Sequence, residues 1–226
     1  KAWIVGDCLP VPAFGEILSA KVQVATVGLN PSSTEFYVGG KLKPPSERLA
    51  ALSDFGAVSR NDLTADDLDD ATGKRNEYFN GKARQAHEWF ERLGMILNAA
   101  NGTWSYANGS VVHLDIVACV TKQKWSKVDG VVQAKLVANC RKHLELTVAA
   151  LPTTTTLLLD GKTACETLAG NVEQDWIPLC QSLDADGQRK TVRVRSGILA
   201  VDGKLKRFMG WNIPAKYLSD DAVACV

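Results

Sequence analysis

Val22-Gln-Val-Ala-Thr-Val-Gly-Leu-Asn-Pro-Ser32 is the stretch on which the reading of this chain turns. Its β-branched run predicts a strand over 22–27 that ends at Gly28. Asn30-Pro31-Ser32 then supplies turn and N-cap chemistry. Working outward, Val111-Val-His-Leu-Asp-Ile-Val117 reads as a second strand, apolar on both faces as a buried parallel strand is. Thr154–Leu159 reads as a third, leading through Asp160-Gly161 into a helix over 162–169. Apolar spacing predicts helices over 75–100, interrupted at Gly81, and over 131–150 with Pro152 just beyond. A short helix is expected over 46–55, and an exposed acidic loop with one helical turn over 59–73. Strands are expected over 190–195, 197–201 and 204–209, with Asp202-Gly203 as a hairpin turn. Alternating strand and helix predict one α/β domain over 1–226 with a mainly parallel sheet.

The chain has 226 residues, 46% hydrophobic and 23% charged, which is a globular composition and excludes disorder, collagen and coiled coil. No apolar run is long enough to span a membrane, and no leader pattern is visible, although the chain starts at Lys. The six cysteines form no CxxC pair. They read as reduced structural thiols of a cytoplasmic protein, with a disulfide or cluster as the alternative. With 26 Lys+Arg against 25 Asp+Glu, bulk charge does not select nucleic acid as a partner. The charge is uneven, however. Eight bases and one acid lie between Arg189 and Lys216, and Lys122, Lys124 and Lys127 surround Trp125. Such segments form either a face for a phosphate backbone or solvated hairpins.

In a parallel sheet, ligands sit outside the carboxyl ends of the strands. That rule selects 28–32, 115–121 and 160–163, with 210–216 as a further wall. Gly28 permits close backbone approach and Pro31 sets the exit of the loop. Asn30 presents a neutral amide, able to orient a water but not to deprotonate it strongly. The segment is neither a Walker loop nor a dinucleotide fingerprint, since GKS/T and GxGxxG are both absent.

"VATVGLNPSSTEF" (24–36), "HLDIVAC" (113–119) and "LLLDGKTACETL" (157–168), in that order, resemble the uracil-DNA glycosylase superfamily. The first looks like the Gly-x-Asn-Pro motif of its mismatch-specific and single-strand-selective branches. The second, with Cys140 and Leu144, is similar in spacing to its iron–sulfur branch, and the third resembles the strand-Gly-helix unit that follows there. "YF…WFERLGMIL" and "SYANGSVVHLD" resemble an uncharacterised bacterial branch.

The resemblance implies a three-layer αβα fold around a four-stranded, mainly parallel sheet. It also implies cleavage of the N-glycosidic bond of a damaged or mispaired base flipped out of DNA, single- or double-stranded. A monomer in the cytoplasm, associated with the nucleoid, is expected, with no metal and no cofactor, because the cluster ligands of the iron–sulfur branch are missing. Asn30 matches the position that places the attacking water, and Asn212 stands nearest to the group that supports the leaving base. Gly28, Leu29, Phe36 and Asp115 would line the base pocket, with Phe36 or Tyr37 stacking on the base. Ser32, Lys122, Lys124, Trp211 and Lys216 would contact nucleic acid.

Two departures stand out. Asp115 occupies a position that usually carries Asn; an ionised Asp only accepts, which opposes a uracil carbonyl and suits an exocyclic amino group. It is expected on the pocket floor, or else capping a loop or paired with a base such as His113 or Lys122. Trp211-Asn-Ile-Pro-Ala215 lacks the usual His, and Trp211 is either a wedge or a buried anchor. A binding protein on the same fold, and a nucleotide-binding enzyme of unrelated α/β type, are the competing readings.

Overall fold

The computed structural model describes residues 3–80, 88–168, 171–183 and 188–226. Its strands are β1 (Ala13–Phe14), β2 (Val24–Gly28), β3 (Tyr37–Val38), β4 (Lys41–Leu42), β5 (Val111–Asp115), β6 (Thr156–Asp160), β7 (Asn171–Leu183), β8 (Arg189–Val201) and β9 (Lys204–Trp211). The helices are α1 (Ala65–Asn76), α2 (Glu88–Ala100), α3 (Gly130–Ala150), α4 (Lys162–Thr167) and α5 (Asp220–Val223). β3 and β4 form a separate small ribbon, and the other seven strands make one sheet in the order β1-β5-β2-β6-β9-β8-β7.

The middle of this sheet is parallel: β2 pairs with β5 and β6, and β6 with β9. The outer pairs are antiparallel, β1 on β5, β8 on β9 and β7 on β8. The sheet is therefore mixed and seven-stranded, where four strands were expected. β1 is too short to carry a period. β7 conceals itself because most of its residues are exposed and it contains Pro178. At a sheet edge a missing N–H costs no ladder bond, so the proline is tolerated there.

Period-2 alternation sends the strand side chains into two cores. Val24, Val111 and Leu158 meet Leu93, Ile96 and Leu97 of α2 on one face. Ala25, Val27, Leu114, Leu157 and Leu159 meet Leu144 and Val148 of α3 and Cys165 of α4 on the other. Each fully buried aliphatic side chain contributes roughly 1.5–3 kcal/mol, so this two-sided burial is what holds β2 at the centre.

Local chemistry explains the other differences from expectation. The acidic 59–73 stretch contains most of α1, because Thr64 and Asp67 close a capping box: the Thr64 side chain accepts from Asp67 N–H and Asp67 accepts from Thr64 N–H. The 46–55 helix is instead two 3₁₀ turns, Pro45–Glu47 and Leu52–Phe55. Between them Arg48 is buried, its guanidinium forked on Asp54. The Gly81 interruption lies outside the described residues. Strands expected at 190–195 and 197–201 are one strand, β8. Asp202 and Gly203 both take positive φ in the β8–β9 hairpin, as a primed two-residue turn requires. All six cysteines are free thiols.

One buried carboxylate fastens the carboxyl ends of β6 and β9. Asp160 is 5% exposed. It accepts from Trp211 Nε1 at 2.8 Å, Trp89 Nε1 at 2.7 Å and the Ala215 amide at 2.7 Å. Asp160→Ala strands three donors, each costing about 1–3 kcal/mol when buried. The expected outcome is a loss of roughly 3 kcal/mol or more, read as a lower urea midpoint at unchanged slope. A loss below about 1 kcal/mol would show that these donors find other partners.

Candidate functional site at the carboxyl ends of the parallel strands

β2, β5, β6 and β9 run the same way, so their exits gather at one edge of the sheet. The loops after β2 and β5 are joined there by backbone bonds, Ile116 N–H to Gly28 O at 3.1 Å and Val117 N–H to Leu29 O at 2.8 Å. Gly28 stands in register with Asp115. A Cβ on Gly28 would lie 3.1 Å from the His113 ring and 3.2 Å from Asp115 Oδ1. The glycine is thus what lets an imidazole and a carboxylate crowd against the end of β2. Leu29, half-buried, packs toward the α3 side.

Asn30 is held by one end of its amide. Nδ2 donates to Pro31 O at 3.0 Å and to Thr121 Oγ1 at 3.1 Å, while the Thr121 hydroxyl donates onward to Gln123 O. This fixes the rotamer and leaves Oδ1 without a partner among the described residues. The arrangement brings Asn30, Gly28 and Asp115 together, with exposed Lys122 and Lys124 following Thr121 in the same loop.

Asp115 belongs to a buried polar string on the α2 face. Tyr106 OH and Thr26 Oγ1 are 2.7 Å apart, Thr26 Oγ1 and His113 Nδ1 2.9 Å, and His113 Nε2 and Asp115 Oδ1 3.4 Å. Asp115 is 4% exposed. Its other oxygen has no hydrogen-bond partner among the described residues. Burial raises the Asp115 pKa, opposed by the neighbouring His113 and reinforced by Glu35. The carboxyl therefore meets His113, the partner named among the alternatives, while standing beside the Gly28 loop.

The aromatic residues lie deeper than expected. Phe36 is wholly buried in the α2-side core and Tyr37 half-buried. Trp211 is also wholly buried and donates to Asp160, so in this conformation it is an anchor with no surface to offer a duplex. Asn212 ties both ends of its amide to β8: Oδ1 accepts from Arg193 N–H at 2.7 Å and Nδ2 donates to Thr191 O at 3.1 Å. Gly161, at φ +90°, packs where a Cβ would come 3.0 Å from Pro214. Ser32 is exposed and caps the 3₁₀ turn Ser33–Glu35, and Lys216 is exposed with its ammonium 4.7 Å from the Tyr217 ring centroid.

The expected single basic face is divided by topology. β9 is parallel to the central strands, so its first residues lie at the end of the sheet away from Asn30. There Lys204 Nζ donates to Ala149 O, and Lys206 Nζ to Leu151 O and Pro152 O, satisfying carbonyls at the α3 C-terminus. Arg195 is occupied by Asp175 at 3.2 Å and by the Trp176 ring. Arg189 and Arg193, by contrast, precede Val194, the register partner of Trp211, and extend past the carboxyl edge.

Sequence reading did not single out Thr121, Trp89 or Glu35, and passed over Asp160 as one residue of an edge loop. Glu35 is buried and accepts from Tyr78 OH at 2.7 Å. Its place directly after Asn30-Pro-Ser-Ser-Thr was the available signal; for Trp89 none existed. Among the described residues, no group of three or more His, Cys, Asp or Glu side chains is placed to hold a metal ion.

A raised carboxyl pKa means that the folded chain binds the proton more tightly than the unfolded one. Stability is then lost as pH rises from the unfolded value through the raised one. Asn cannot ionise. Asp115→Asn is therefore expected to match the parent near pH 4 and to become progressively more stable relative to it toward pH 8, measured by urea unfolding at each pH. A pH-independent difference would show that the carboxyl is not desolvated. Comparison with protein families, with curated proteins and with solved structures finds no match to this chain.

Proposed function

We propose that the chain is a DNA glycosylase-like hydrolase acting on a flipped-out base, with Asn30 placing the water. The observation that carries this reading is the Asn30 amide, pinned through nitrogen by Pro31 and Thr121 with its oxygen unpartnered at the carboxyl edge. An amide oxygen held in one rotamer accepts a hydrogen bond from water and aims it. In the reaction the glycosidic C–N bond breaks and its electron pair leaves with the base; water adds to the oxocarbenium-like sugar carbon, and the proton it loses ends, through solvent, on the departed base. The resemblance of 24–36, 113–119 and 157–168 to the uracil-DNA glycosylase superfamily supports the reading. The parallel block β5-β2-β6-β9, four strands within the seven-stranded mixed sheet, is compatible with it.

Asp115 sets the base preference in this scheme. When neutral, its carboxyl donates as well as accepts and serves a uracil edge as an amide would; when ionised it only accepts. Burial favours the neutral form. Uracil release should therefore fall as pH rises through the raised pKa, and Asp115→Asn should increase uracil release and flatten that profile.

One observation favours a second reading, a nucleic-acid-binding protein without chemistry. Both ends of the Asn212 amide are already tied to β8, which leaves only one N–H and one lone pair for a departing base. An oligonucleotide panel carrying uracil, mispaired thymine, cytosine, hypoxanthine and xanthine, scored for abasic sites, separates the two. Release of any base is the expected result, and Asn30→Ala should reduce it about tenfold or more in a folded protein. Binding with no abasic product across the panel selects the second reading.

A further inference from the structure

A cavity of about 370 Å³ lies away from Asn30, between the 9–12 segment, residues 49–50, the 60–63 turn, α1 and α3. Leu9, Leu63 and Leu68 represent its mainly apolar wall, and its charged or titratable lining is Arg60, Arg75 and His143. No acidic residue lines it among the described residues. Arg75 is half-buried and donates to Thr72 Oγ1 at 2.6 Å, and neither Arg75 nor Arg60 has a carboxylate partner among the described residues. Leaving a desolvated guanidinium unpaired is costly, and an anion that supplies the missing charge recovers that cost. Burial, and after it the Arg75 charge, lowers the His143 pKa.

We propose that this cavity binds a small amphipathic carboxylate, its alkyl part against the leucines and its carboxylate on Arg75, with Arg60 and His143 at the mouth. The volume falls within the range of small-molecule pockets, roughly 300–1,000 Å³. One guanidinium fork matches the two oxygens of a carboxylate. A phosphate would turn a third charged oxygen toward the apolar wall. Arg60 and His143 are exposed and Arg75 is not, which orders the three from mouth to interior. The site is independent of the Asn30 edge, and its test involves no base release.

The test titrates the full chain with octanoate, octanol and inorganic phosphate by calorimetry. Octanoate is expected to saturate with Kd below about 1 mM, and octanol and phosphate to bind at least about tenfold more weakly. Octanoate should shift the NMR signals of the His143 ring and leave those of His113, buried in the core, in place. Arg75→Gln should weaken octanoate about tenfold or more. If that variant does not fold, the exposed pair Arg60→Gln with His143→Gln should weaken it about threefold or more. Octanol binding as tightly as octanoate would reduce the cavity to an apolar hollow. Phosphate binding more tightly would reassign it to phosphate. Octanoate binding unchanged by the substitutions, or absent, would overturn the proposal.

Discussion

The Asp160 carboxylate is the constraint on which this edge of the molecule depends. In the interior a carboxylate is expensive unless its lone pairs are filled. Here two indole N–H groups and a backbone amide fill them. The three donors come from α2, from the last residue of β9 and from the turn after Pro214, so one side chain sets the relative position of three segments. The same bonds hold Trp211 inside and bring Pro214 against Gly161, whose positive φ and missing Cβ make the contact possible. The wall formed by 212–215 is thus built from the inside outward.

Next to it, the end of β2 depends on a missing atom. Without a Cβ on Gly28, His113 and Asp115 occupy space that any other residue would claim. They terminate a line of buried polar groups that begins at Tyr106 and passes through Thr26. In a low-dielectric interior such a line is stable only when its members satisfy one another. The long 3.4 Å contact at its end leaves Asp115 the least satisfied member, and that member stands in register with Gly28. A group with spare hydrogen-bonding capacity, desolvated and beside a rigid amide, is what a recognition site requires.

Charge is distributed by the same logic. Lys204 and Lys206 serve the α3 carbonyls, and Arg195 serves Asp175 and Trp176. Lys122, Lys124, Lys216, Arg189 and Arg193 remain exposed at the carboxyl side of the sheet or beyond it. These cations are carried by three separate segments, the loop after β5, the start of β8 and the turn after β9.

The strands β2, β5 and β6 and the helix α3 were legible in the sequence, because two-sided apolar runs and helical spacing state local burial directly. So was the β8–β9 turn, since Asp-Gly accepts positive φ where most residues do not. The Gly28–Asn30 and Asp115 loops could be placed at one edge from strand direction alone. What the sequence did not hold was partnership. Whether Asp160 would face a ligand or two tryptophans, whether Trp211 would be wedge or anchor, and whether Lys206 would meet phosphate or a helix end depended on which residues arrive from elsewhere in the chain. Trp89 lies 71 residues from Asp160 and Leu151 lies 55 from Lys206. Local pattern reports how deeply a residue is buried, but only the tertiary fold decides what it is buried against. For polar groups, whose energies turn on a partner being present or absent, that is the decisive fact.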